Sequence, residues 1–158
     1  MILVDTSVWV DHLRVGDAKL ADALRAGQVA THPFVIGELA CGNLKSRETV
    51  LSLLRALPVV PVADDDEALF FIERNALMGR GIGYIDAHLL AATAIATPTR
   101  LWTHDKRLGA IAVELALAHR TAATYVSVQY RLSEGQHWRV SRRHHARSRK
   151  SAQGRSCA

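Results

Sequence analysis

The sequence predicts an α/β fold in which a central parallel β-sheet is flanked by α-helices. Short apolar runs suited to strands alternate with helical patterns through roughly the first 120 residues, the order expected of parallel strands joined by crossover helices. The leading run, Met1 to Val4, is apolar without interruption, as a strand buried on both faces must be. An apolar content of 49% in 158 residues supplies one core and fits one compact domain with a tail to spare.

The first strand stops at Asp5-Thr6-Ser7, whose side chains can cap a helix running through Val8, Trp9 and Leu13. A second helix is expected over Ala18–Arg25, with Gly27 as its stop, and a brief strand over Val29–Thr31. Pro33 suits the first turn of a helix through Phe34, Val35, Glu38 and Leu39 to Gly42. Another helical pattern covers Arg47–Leu57, and Pro58–Val62 follows as an extended segment. The acids Asp64 to Glu67 fit the positive N-terminal end of a helix predicted to reach Met78. After the turn Gly79–Gly83 comes an Ala/Leu-rich helix from Ile85 to Ala96, then a strand over Leu101–Thr103 and a helix over Lys106–Ala118. Residues 124–132 alternate weakly and suggest an edge strand. The expected division is one folded domain over residues 1–130 and a basic, low-complexity, disordered tail over 131–158.

Charge is distributed unevenly. The net +5 splits into −2 for residues 1–121 and +7 for residues 122–158, so the basic character belongs to the tail while the body is slightly acidic. Overall charge is therefore no argument for a nucleic-acid-binding body. No run approaches the ~18 apolar residues of a membrane span, and the N-terminus lacks the basic start of a signal peptide. Cys41 and Cys157 form neither a disulfide framework nor a metal knuckle, which points to a reducing cytoplasm.

Four acids are the candidates for chemistry. Asp5 follows the first strand, Asp105 follows the Leu101–Thr103 strand, and Asp86 opens the Ala-rich helix. All three are expected at the rim beyond the carboxyl ends of the strands, where open α/β sheets bind ligands. Glu38 lies within a helix on a row otherwise apolar. Singly, each Asp reads equally well as a helix N-cap, and Glu38 as a solvated helix-edge residue. Jointly they are harder to dismiss. Carboxylates ~5 Å apart repel by roughly 3 kcal/mol per pair at an effective dielectric of about 20, and a hard divalent cation such as Mg²⁺ or Mn²⁺ offsets that repulsion. The histidines His12, His32, His88, His104 and His119 lack ligand spacing, so zinc is disfavoured. No nucleophile-elbow sequence supports a serine triad, and Gly79–Gly83 follows a helix and lacks the phosphate-loop lysine.

At these residues the chain resembles the VapC-type PIN-domain toxins of bacterial toxin–antitoxin pairs. The carrying strings are DTSVW at 5–9, IGELACG at 36–42, GRGIGYIDAHLLAA at 79–92 and LWTHDKRL at 101–108, in family order. The resemblance implies a PIN fold and a Mg²⁺- or Mn²⁺-dependent endoribonuclease. It also implies a homodimer and a cognate VapB-type antitoxin whose tail blocks the site. Carried over by position, Asp5, Glu38, Asp86 and Asp105 form the acidic pocket. Asp5 and Asp86 are the foremost metal ligands, and Thr6 or Ser7 supplies the hydroxyl beside the first acid. The basic tail has no counterpart in that family. Arg80, Lys106 and Arg107 are sequence-adjacent candidates for holding RNA. The rival readings are a catalytically dead RNA- or partner-binding module of the same fold and, more remotely, a Mg²⁺-dependent phosphatase.

Overall fold

Leu3 and Val4 have no exposed surface, and Ile2 is nearly as buried, which is what an all-apolar strand in the middle of a sheet requires. In the computed structural model, which describes residues 1–120, that strand is β1 (Ile2–Val4). The chain then runs α1 (Thr6–Val15), α2 (Ala18–Arg25), β2 (Val29–Ala30), α3 (Pro33–Cys41) and α4 (Arg47–Arg55). It continues through α5 (Asp65–Arg74), α6 (Tyr84–Ile95), β3 (Arg100–Trp102) and α7 (Lys106–Glu114). β1 lies between its two parallel partners in the order β2-β1-β3, with Leu3 opposite Ala30 on one side and Leu101 on the other. Single parallel bridges, Thr31 to Val59 and Leu101 to Ala118, widen the sheet at each edge. Because the chain leaves β1 for one neighbour and returns on the other side, the strand order reverses at the carboxyl ends of β1 and β3. Such a switch point opens a crevice.

Local capping chemistry starts most of the helices. Asp5, Asp17, His32, Asp64 and Asp105 each accept a backbone N–H at the head of α1, α2, α3, α5 and α7 respectively. Asp64 and Glu67 complete a reciprocal capping box. Every residue of α6 from Ala87 to Thr93 is buried, and this helix joins one core with Leu3, Val4 and Leu101 of the sheet and Leu108 of α7.

Two predicted helices end earlier than their composition suggests. α5 stops at Arg74 rather than Met78, and α7 at Glu114 rather than Ala118. Each ends in a left-handed residue, Ala76 (φ 49°) and Ala116 (φ 57°). The Leu77 N–H then reaches the Ile72 carbonyl and the Leu117 N–H reaches that of Ala112, the paired closure usually built on glycine. Burying Leu77 and Leu117 offsets the alanine strain, and the second closure frees Ala118 to pair with Leu101. Alanine is the best helix former, so composition points the wrong way at both places. The expected edge strand at 124–132, the domain boundary at 130 and the basic tail lie outside the described residues.

Candidate active site

The crevice at the switch point is built from the residues that follow β1 and β3. The Asp5 N–H continues the sheet by donating to the Trp102 carbonyl at 2.9 Å, which brings the two strand ends together. Asp5 is only 6% exposed, yet well served by donors. Its Oδ2 accepts the Ser7 hydroxyl at 2.6 Å, the Thr103 hydroxyl at 2.7 Å and, at 3.4 Å, the Ser7 N–H. The Ser7 hydroxyl also accepts the His104 N–H at 3.0 Å, and the Thr103 hydroxyl accepts that of Asp105. Two hydroxyls thus lock the α1 head against the β3–α7 turn.

The other acids join from neighbouring elements. Glu38, on the exposed side of α3, accepts the Thr6 hydroxyl at 2.5 Å, tying α3 to the head of α1. Asp105 caps α7 through two 2.8 Å bonds from Arg107 and Leu108. Asp86 sits at the third position of α6 and accepts the Gly83 N–H at 2.8 Å, half of a capping box because glycine has no side chain to complete it. Burial raises the Asp86 carboxyl above the usual carboxylate range, and the Gly83 bond draws it partly back. The charges of Asp5, Asp105 and Glu38, in that order, push it up again. Asp86 therefore feels all three of the other acids.

A common pattern runs through the four. Each takes its protein hydrogen bonds on one oxygen: Oδ2 of Asp5, Oε2 of Glu38, Oδ2 of Asp86 and Oδ1 of Asp105. Among the described residues the second oxygen of each has no hydrogen-bond donor. Capping and ion binding are consequently compatible roles here, one for each oxygen. No three His, Cys, Asp or Glu side chains among the described residues are gathered tightly enough to hold an ion between them. An all-oxygen set of this openness suits Mg²⁺ or Mn²⁺, because Mg²⁺ retains several waters and takes one or two carboxylates rather than a protein cage.

The neighbouring cations differ from expectation. Arg80 is bound in a two-armed pair with Glu114 at 2.7 and 2.9 Å, so it is not a free RNA contact. Arg107 donates to the Gly81 carbonyl at 3.3 Å, whereas Lys106 is exposed. Sequence reasoning missed Thr103, whose signal was its place between the β3 strand and Asp105. It also missed Asp11, whose carboxylate meets His104 Nδ1 at 2.7 Å across α1 and the β3–α7 turn. Thr6 and Ser7, expected as alternatives, serve different acids: Thr6 holds Glu38 and Ser7 holds Asp5.

A parallel sheet of this order, with acids at its switch point, is the architecture of a PIN-type α/β domain. Residues 2–114 match the PIN domain family, to which the chain belongs. Ribonuclease VapC32 of Mycobacterium tuberculosis, from strains CDC 1551 / Oshkosh and ATCC 25618 / H37Rv, is 49% identical over 118 residues. The match covers 75% of this chain and 95% of that relative. The chain is thus a PIN-domain protein of the VapC type, as its four acidic strings imply.

Proposed function

We propose that this protein is a divalent-metal-dependent endoribonuclease, the toxin of a VapBC-type pair. The observation that carries the reading is that Asp5 and Asp105, at the ends of β1 and β3, are joined through Ser7 and Thr103 while Thr6 ties Glu38 to the same α1 head, with Asp86 near enough that their charges help to raise its carboxyl. The ribonuclease name of a relative that matches nearly end to end supports the same conclusion. Asp5 and Asp86 are the residues that would hold Mg²⁺ or Mn²⁺, with Glu38 and Asp105 beside them. When bound, the cation supplies Lewis acidity at phosphorus and makes its water a stronger acid.

The chain's own groups do the rest. Ser7 and Thr103 fix the Asp5 carboxylate so that its second oxygen keeps one direction. Thr6 steadies Glu38, which is the group to orient a water and take its proton as it attacks. Asp105, anchored by the α7 N-terminus, orients solvent on the β3 side. Unpaired RNA is the substrate class, because a crevice at a sheet edge does not read the deep groove of a duplex. A homodimer, a cognate VapB-type antitoxin and a cytoplasmic location complete the proposal, resting on the family. Among the described residues, no helix is long and apolar enough to cross a membrane.

The experiment compares wild type with Asp5→Asn on labelled RNA, in Mn²⁺ and in chelator. Cleavage should need the metal and fall about a thousandfold in the variant, the scale of several kcal/mol of lost transition-state stabilisation, while circular dichroism and melting remain those of a folded protein. Full activity in Asp5→Asn or in chelator overturns the assignment. A wild type that neither cleaves nor takes up Mn²⁺ by titration calorimetry favours the dead binding module.

A further inference from the structure

A cleft between α1 and α3 adjoins the acids but is not accounted for by them. It has a volume of about 620 Å³ and shares two residues with the site, Thr6 and Glu38. From there it runs along α1 past Val10 to Arg14 and is closed on the α3 side by Leu44 and Lys45. Thr6 and Arg14 are eight positions apart on one helix, so the wall extends about 12 Å along the axis. Its character changes along that length, from acid and hydroxyl to an apolar stretch and then to two cations.

Those cations stand apart from most of the others in the body. Arg25 is paired with Asp22 and Arg80 with Glu114; Arg47, Arg100 and Arg107 donate to carbonyls; and Arg74 lies over Phe70. Arg14 and Lys45 are exposed and make no hydrogen bond or ion pair among the described residues. They line the same cleft in a body whose residues 1–121 carry a net −2. Four acids at the crevice repel phosphates, so a strand that threads it needs positive charge close by but off the acids themselves.

We propose that this cleft is the channel for the RNA strand flanking the cut. In it, Arg14 and Lys45 hold backbone phosphates, and Val10 and Leu44 give the intervening base or sugar an apolar wall. The inference rests on the nuclease reading above and names where its substrate lies. Arg14 and Lys45 act by positioning and touch no reacting atom. Phosphate contacts of this kind set register without reading sequence, so the effect should be uniform across RNA sequences.

The test uses the full chain carrying Asp5→Asn, so that RNA survives, and a short fluorescein-labelled single-stranded RNA followed by anisotropy in Mg²⁺. Adding Arg14→Gln and Lys45→Gln should weaken binding about tenfold and lower the slope of log affinity against log salt by roughly 1.4. That slope is the loss of two phosphate contacts on a single strand. The basic tail contributes alike to both proteins and cancels in the difference. In the otherwise wild-type enzyme, the same pair should raise KM by a larger factor than it lowers kcat. Unchanged affinity and salt slope overturn the channel, and so does a pair of substitutions that spares RNA binding but loosens a bound antitoxin. If the wild type cleaves nothing yet the pair still lowers affinity and slope, the channel stands and the nuclease reading fails.

Discussion

Asp5 and His32 invite comparison because both are buried, both are polar and both cap a helix, yet the protein treats them in opposite ways. Asp5 receives two hydroxyls and a backbone N–H on one oxygen, and its other oxygen has no donor among the described residues. His32 accepts only the Phe34 N–H on Nδ1, and its buried Nε2 has no partner among the described residues. Burial, with the nearby His88, lowers the His32 pKa to about 4. The imidazole thus remains neutral inside an aromatic cluster in which Phe34 lies edge-on to both histidine rings and Tyr84 to His88. The difference teaches how this fold treats buried polar groups. Hydroxyl and N–H donors gather on the acid at the sheet's carboxyl edge, whereas burial without donors leaves the His32 imidazole uncharged.

The comparison is broken most severely at Asp86, the acid that feels the others. Asp86→Asn should cost cleavage about a thousandfold, measured on labelled RNA in Mn²⁺. In metal-free buffer it should have the reverse effect on stability. A carboxyl whose folded pKa is raised binds more protons folded than unfolded, so its contribution to stability is lost as pH rises through that pKa. The variant should therefore melt higher than wild type at neutral pH without metal. A lower midpoint there would overturn the view that the ionised Asp86 carboxylate is destabilising at this buried position.

Thr103→Val tests whether donors are what distinguish Asp5. It removes one hydroxyl from Asp5 and one acceptor from the Asp105 N–H. Activity or Mn²⁺ affinity should drop 10- to 100-fold, roughly the usual cost of losing an outer partner of a metal ligand, with the fold retained. Thr103→Ser should recover most of the loss.

His32→Asn probes the neutral side. Asparagine can still accept the Phe34 N–H but does not titrate. With a folded pKa of about 4 against the ordinary 6.5, His32 binds fewer protons folded than unfolded between those values. Wild-type stability should consequently fall as pH drops from neutrality, by up to about 2 kcal/mol at pH 5. His119, also lowered by burial, adds a change of the same sign. Urea midpoints at pH 7 and pH 5 should lie closer together in the variant, and an equal spacing would remove His32 as the cause.

The smallest effect belongs to a charge pair outside both regions. Arg80→Ala breaks the two-armed contact with Glu114, but these side chains are on the surface, where water and salt screen the pair. Melting and RNA affinity should both be unchanged within error. A marked loss of RNA binding would return Arg80 to the substrate contacts expected from its place in the sequence.

What the sequence determined alone is whatever depends on neighbours along the chain. The apolar run at Met1–Val4, the capping residues Asp5 and Asp105, the acids from Asp64 at the head of α5 and the Ala/Leu-rich composition of α6 each state a local preference that packing did not overrule. The acids at strand and helix ends were legible for the same reason. Tertiary structure decided what depends on residues far apart. Ser7 and Thr103, separated by 96 positions, meet on Asp5; Thr6 picks out Glu38; Asp11 finds His104; and Arg80 is captured by Glu114. It also decided that Ala76 and Ala116 close helices that their propensity would extend, since burying Leu77 and Leu117 outweighs a local cost of about 1–2 kcal/mol for a left-handed alanine. Local propensity is small per residue, and it yields wherever burial or a distant hydrogen bond contributes more.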